Sequence, residues 1–122
     1  VRKWLFIAGL NGALAVLAGA FAVHSLGARP YASAFTTGAH YHLVHAVAMA
    51  VASLAARGAA KARAEWAARL FLTGIILFSG SLYLLTLTGI RAFGYATPLG
   101  GLALVAGWIL LALAALKLEE TS

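Results

Sequence analysis

The chain has 122 residues, 63% of them hydrophobic and 10% charged, with a formal net charge of +6 and no cysteine. A soluble domain needs more polar surface than this, so the composition indicates a membrane protein; the missing cysteines exclude disulfides, thiolate metal sites and cysteine nucleophiles. The basic residues sit in short connections between apolar runs, where orientation signals lie, so the expected partner is the lipid bilayer and not nucleic acid.

Four apolar runs occur, Trp4–Val23, Ala39–Ala56, Leu70–Ile90 and Pro98–Leu116. Each has roughly the ~20 residues that cross a hydrocarbon core. They predict helices over residues 4–25, 33–57, 66–89 and 98–117 of a single domain. Short loops force antiparallel neighbours, so the expected fold is all-α, an integral membrane up-down four-helix bundle.

Arg2 and Lys3 precede the first run, and Ala20-Phe21-Ala22 has the form of a signal cleavage site. The run is long for a signal core, so it is expected to persist as a helix. Asn11, Ala15, Ala18, Ala22 and Ser25 share one stripe at helical spacing; Gly9, Ala13, Ala20 and His24 share a second. Leu10, Leu14, Leu17 and Phe21 form the bulky side. Small residues let membrane helices approach closely, so both small stripes are expected to face protein, and Asn11 to hydrogen-bond across an interface.

Pro30 permits a helix start after the first loop, with Tyr31 to Thr37 as a short interfacial turn. In the second run Tyr41, His42 and His45 share one arc, continued by Met49, Ala52 and Ala56, while His40 points elsewhere. An ionisable group inside a bilayer must face the bundle interior and find a partner. The connection Arg57 to Arg69 is basic and Ala-rich, and reads as a surface helix against anionic headgroups.

The third run has Ser79, Tyr83 and Thr86 on one side and Gly74, Ser81 and Thr88 on the other, which implies two protein neighbours. Ser79 and Ser81 are therefore candidate interhelical polar contacts beside Asn11. Gly89 ends this helix. Thr97-Pro98 opens the fourth, with Thr97 as N-cap, and Gly100, Ala103, Gly107 and Ala114 form its close-packing seam. Lys117, Glu119 and Glu120 end the chain in water.

Seven of the nine Lys and Arg residues lie at one membrane face: Arg2, Lys3, Arg57, Lys61, Arg63, Arg69 and Lys117. Only Arg29 and Arg91 lie at the other. The positive-inside rule then puts both termini in the cytoplasm, with Trp4 and Trp66 at the inner interface and Tyr31 and Tyr95 at the outer one.

The candidate site is His24, His42, His45 and Tyr83, with Thr86 nearby, in the outer half of the bundle. Imidazoles bind metal, ligate haem iron or relay protons. Glu65, Glu119 and Glu120 all fall on the inner side. That weakens a hydrolytic metal site, an ion-coupled transporter and a serine triad, each of which wants a carboxylate close by. The leading expectation is that His24, His45 and Tyr83 satisfy one another and neighbouring carbonyls, fixing helix register. Haem would need a pair across a gap, His24 with His45 or His42.

Four strings carry a family resemblance: Gly19-Ala20-Phe21-Ala22-Val23-His24, Tyr41-His42-Leu43-Val44-His45-Ala46, Leu77-Phe78-Ser79-Gly80-Ser81-Leu82-Tyr83 with Leu87-Thr88-Gly89, and Thr97-Pro98-Leu99-Gly100-Gly101 with Gly107-Trp108. In this order they resemble the YgdD/YwdK-like group of small integral membrane proteins, a domain of unknown function. The resemblance implies four spans and placement in the bacterial inner (plasma) membrane, and supplies no activity.

The expected role is that of a non-enzymatic structural or accessory membrane protein, packing against a larger membrane complex or forming a homo-oligomer, with no cofactor. Two alternatives stand beside it. One is a haem-, quinone- or metal-binding protein using the outer histidines; the other is a small channel or transporter acting as an oligomer.

Overall fold

The structure, a computed structural model, describes residues 2–119. Glu120 lies outside the described residues. Among the described residues there is no strand, and the fold is an all-α four-helix bundle. The first two rods are α1 (Arg2–Ser25) and α2 (Ala32–Ala55). The third is continuous: α3 (Lys61–Gly74), a π-helical turn over Ile75–Ser79, and α4 (Gly80–Thr88). The fourth is α5 (Thr97–Ala115). Short 3₁₀ turns, Gly58–Ala60 and Arg91–Tyr95, lead into the third and fourth rods. Arg2–Ser25, Gly58–Thr88 and Arg91–Ala115 are each long and apolar enough to cross a membrane. The remaining rod, α2, carries His40, His42 and His45; it buries one broad face, including His42 and His45, against α1, α3, the π turn and α4, and leaves Val44, Val47, Val51 and Leu54 exposed.

Two helix ends differ from the expectation. The third rod begins before Trp66, because the basic connection is helical from Lys61 and is no separate surface helix. Ala60, Ala64, Ala67 and Ala68 are buried there, while Lys61 and Glu65 face outward or lie at the edge. Alanine is the strongest helix former, and its small side chain lets neighbouring rods close on it. Thr97 is not an N-cap: Ala96 precedes the helix without a side-chain cap, and Thr97 is its first residue, followed by Pro98. Gly89 stops α4 in a left-handed conformation (φ 72), its N–H bonding Leu85 O at 2.8 Å.

One of the two small stripes of α1 points inward. Trp4, Ala8, Asn11 and Ala15 are buried against α2, whereas Gly9, Ala13, Ala20 and His24 are exposed. The bulky Leu10, Leu14, Leu17 and Phe21 are exposed too.

The third and fourth rods meet through glycine. A Cβ on Gly100 would lie 2.3 Å from the Phe78 backbone nitrogen, so α5 touches the π turn backbone to backbone. Leu104 fills the space over Gly74, and the Phe71 ring fills that over Gly107. At the basic end, Arg63 Nη1 donates to Leu113 O at 2.8 Å, satisfying a carbonyl in the last turn of α5. The Arg69 guanidinium lies over the Trp4 and Trp66 rings, 5.6 and 5.0 Å from their centroids.

Candidate functional site

The central feature is a chain of polar side chains threading three rods. It begins in α1. Asn11 Nδ2 donates to Ile7 O at 3.0 Å, which turns Oδ1 toward α2. Oδ1 stands 2.9 Å from His42 Nε2. A carbonyl oxygen only accepts, so Nε2 carries the hydrogen. A neutral imidazole then has Nδ1 free to accept, and the Tyr83 hydroxyl of α4 donates to it at 2.9 Å. The order is therefore Tyr83 O–H to His42, then His42 N–H to Asn11. Phe35 packs on the Tyr83 ring, with centroids 4.6 Å apart.

A second link runs from α2 to α5. His45 Nδ1 lies 2.7 Å from the Tyr41 carbonyl and donates to it. Its Nε2 accepts from Trp108 Nε1–H at 3.0 Å, the only polarity open to an indole. Tyr41 stacks on His45, with centroids 5.8 Å apart and planes 11° apart, and the Phe71 ring meets Trp108 edge-on.

Hydroxyls complete the connections. Ser79, in the π turn, donates to Gly38 O at 2.7 Å. Gly38 has to be small, since a Cβ there would sit 3.2–3.3 Å from Tyr83, Leu82 and Ser79. Thr86 Oγ1 has one hydrogen and two carbonyls in reach, Tyr31 O at 2.8 Å and Leu82 O at 3.0 Å. Tyr31 holds a left-handed backbone (φ 65), which aims its carbonyl at α4. Ser81 pairs with Thr97 at 2.6 Å, joining α4 to the start of α5.

The pairings differ from the expected ones. His24 does not join His45 and Tyr83: it stands exposed in the last turn of α1, on the stripe facing away from α2. Asn11 occupies the place foreseen for it. Trp108 was missed as a partner, because within an apolar run an indole reads as bulk. Its position well inside α5, far from either end of the apolar run, was the available signal.

Among the described residues, no buried side-chain nitrogen or oxygen lacks a hydrogen-bond partner. No three His, Asp or Glu residues gather there as a metal would require. A haem iron or metal at His42 or His45 would have to displace Asn11, Tyr83, Tyr41 or Trp108 from the ring nitrogens. The chemistry is that of interhelical linkage, each bond being worth about 0.6 kcal/mol and at most about 1.7 kcal/mol in a membrane.

No solved structure matches the chain. Residues 18–101 match the family model described as a protein of unknown function, DUF423. The chain is 38% identical over 121 residues to the UPF0382 membrane protein YwdK of Bacillus subtilis, covering 96% of this chain and 98% of the relative. It is 35% identical to the UPF0382 membrane protein SAB0533 of Staphylococcus aureus, over 96% of this chain and 98% of that protein. Against the UPF0382 inner membrane protein YgdD of Escherichia coli K12 the identity is 32%, over 98% and 93% of the two chains. On the match over residues 18–101 and relatives of nearly the same length, the chain belongs to the DUF423 family of membrane proteins of unknown function.

Proposed function

We propose that the protein is a structural or accessory component of the bacterial inner membrane, without enzymatic activity, that spans the bilayer four times with both termini in the cytoplasm and packs against other membrane proteins. One observation carries this reading. α1 lies against α2 and leaves its other side uncovered, and a Cβ on Gly9, Gly12 or Gly19 would meet nothing within 4 Å. Glycine at these positions is therefore not needed for internal packing. A surface of this kind suits close approach of a helix from another protein. The fully engaged His42 and His45 support a scaffold over a cofactor site, and the clustering of Arg and Lys at one end supports the orientation.

Native mass spectrometry of a gentle detergent extract tests the accessory role. The expected result is a discrete complex of fixed stoichiometry, and photocrosslinkers at Gly9 or Ala13 should capture the same partner. A lone monomer with no crosslink from α1 would defeat the reading. Orientation is tested separately. The chain has no cysteine, so single cysteines at Gly58 and Gly94 report sidedness to an impermeant reagent, and labelling of Gly58→Cys from outside the cell would reverse the assignment.

A further inference from the structure

The geometry points to a binding site for one anionic phospholipid in the furrow between α2 and α5, with its phosphodiester held by Arg57 and Lys117 and an acyl chain running toward Trp108. Only the choice of the cytoplasmic leaflet rests on the orientation proposed above.

The first ground is charge. At the basic end of the bundle a hollow of ≈ 320 Å³ opens between the α2–α3 connection and the end of α5, with Arg57 on one side and Lys117 and Glu119 on the other. Most neighbouring cations already have partners. Arg63 caps Leu113, Arg69 lies over Trp4 and Trp66, and Lys3 lies over Trp4. Arg57 gives one N–H to Leu54 O at 3.2 Å, and among the described residues its other guanidinium hydrogens have no partner. Among the described residues two cations and one carboxylate line the hollow, a balance of one positive charge, which complements a phosphodiester monoanion.

The second ground is shape. In the same α2–α5 gap an apolar hollow of ≈ 390 Å³ is lined by Val44, Val47, Val51 and Trp108. Val47 and Val51 lie on an exposed stripe of α2 that continues through Leu54 to the Arg57 end. On α5, Ala112 and Ala115 follow Trp108 at helical spacing on the same side, and both are exposed and small. From Lys117 back to Trp108 is about 13 Å at ~1.5 Å per residue, close to half of the ~30 Å hydrocarbon core. A furrow one leaflet deep, cationic at one end and apolar along its length, has the form of an anionic lipid.

The test uses the full-length protein in mild detergent, titrated with lipid and read by native mass spectrometry. Phosphatidylglycerol is expected to bind one to one, about tenfold more tightly than phosphatidylcholine, from the attraction of two basic residues near a surface. R57Q/K117Q should abolish that preference while retaining helicity by circular dichroism. Glu119→Gln should tighten phosphatidylglycerol binding several-fold, and Val51→Trp, which fills the furrow, should weaken both lipids. Soluble glycerol 3-phosphate should not compete at lipid-like concentrations. Equal binding of the two lipids by the unaltered protein would overturn the proposal without any variant. Full competition by glycerol 3-phosphate would make this a free-phosphate site and overturn the lipid assignment. Neither result depends on a protein partner, so failure here is distinct from failure of the accessory role.

Discussion

His42 and His45, one turn apart on α2, carry their single ring hydrogens on opposite nitrogens: His42 on Nε2, facing Asn11, and His45 on Nδ1, facing the Tyr41 carbonyl. The partners dictate this, since an amide oxygen and a peptide carbonyl only accept. With the other two histidines, His24 and His40, replaced by glutamine, histidine-selective ¹⁵N spectra in detergent near neutral pH should show one ring of each tautomer. Two rings of the same tautomer would contradict the network.

Asn11 and Tyr83 act on the same ring from opposite sides. Asn11→Leu leaves the buried Nε2–H without an acceptor and should cost about 1–3 kcal/mol. Tyr83→Phe removes a donor and should cost about 0.6–1.7 kcal/mol. Because both act through His42, the double variant should lose less than the two losses combined. Unfolding in mixed micelles, followed by circular dichroism, measures all three; strict additivity would mean that His42 does not couple the helices.

Trp108→Phe keeps most of the apolar bulk against Phe71 and removes the indole donor to His45. The expected loss is about 1–2 kcal/mol, from one half-buried hydrogen bond plus a small packing defect. The ¹⁵N signal of His45 Nε2 should shift while that of His42 stays in place. Movement of both signals would mean that the two links are one network.

Glycine-to-alanine substitutions should sort by what stands in the way. At Gly100 the obstacle is the Phe78 backbone, which cannot turn aside, so about 3 kcal/mol or more is expected. At Gly74 the obstacle is the Leu104 side chain, which can rotate, so the loss should be smaller, about 1–2 kcal/mol. Gly9→Ala meets nothing and should be neutral in the isolated protein. Thermal unfolding of the set checks the ranking.

The number of helices was legible because long apolar runs separated by short polar connections suffice to mark four rods. Facing was less legible. α1 carries two small stripes at helical spacing, and nothing within α1 says that the one bearing Asn11 meets α2 while the one bearing His24 does not. The start of α3 was hidden by Lys61, Arg63 and Arg69, which read as a separate surface helix; the structure makes them the first turns of the third rod, whose alanines face inward. The link from His45 to Trp108 joins residues 63 apart, and periodicity within one helix carries no information about a contact made by another.

The placement of α2 bears on how such a chain is assembled. His45 has its indole partner 63 residues downstream, and His42 has its phenol 41 residues downstream. During synthesis, α2 therefore leaves the ribosome with imidazole nitrogens that only later segments can saturate. α1, made first, offers only Asn11 to these rings, so insertion of the C-terminal half completes the burial of the middle.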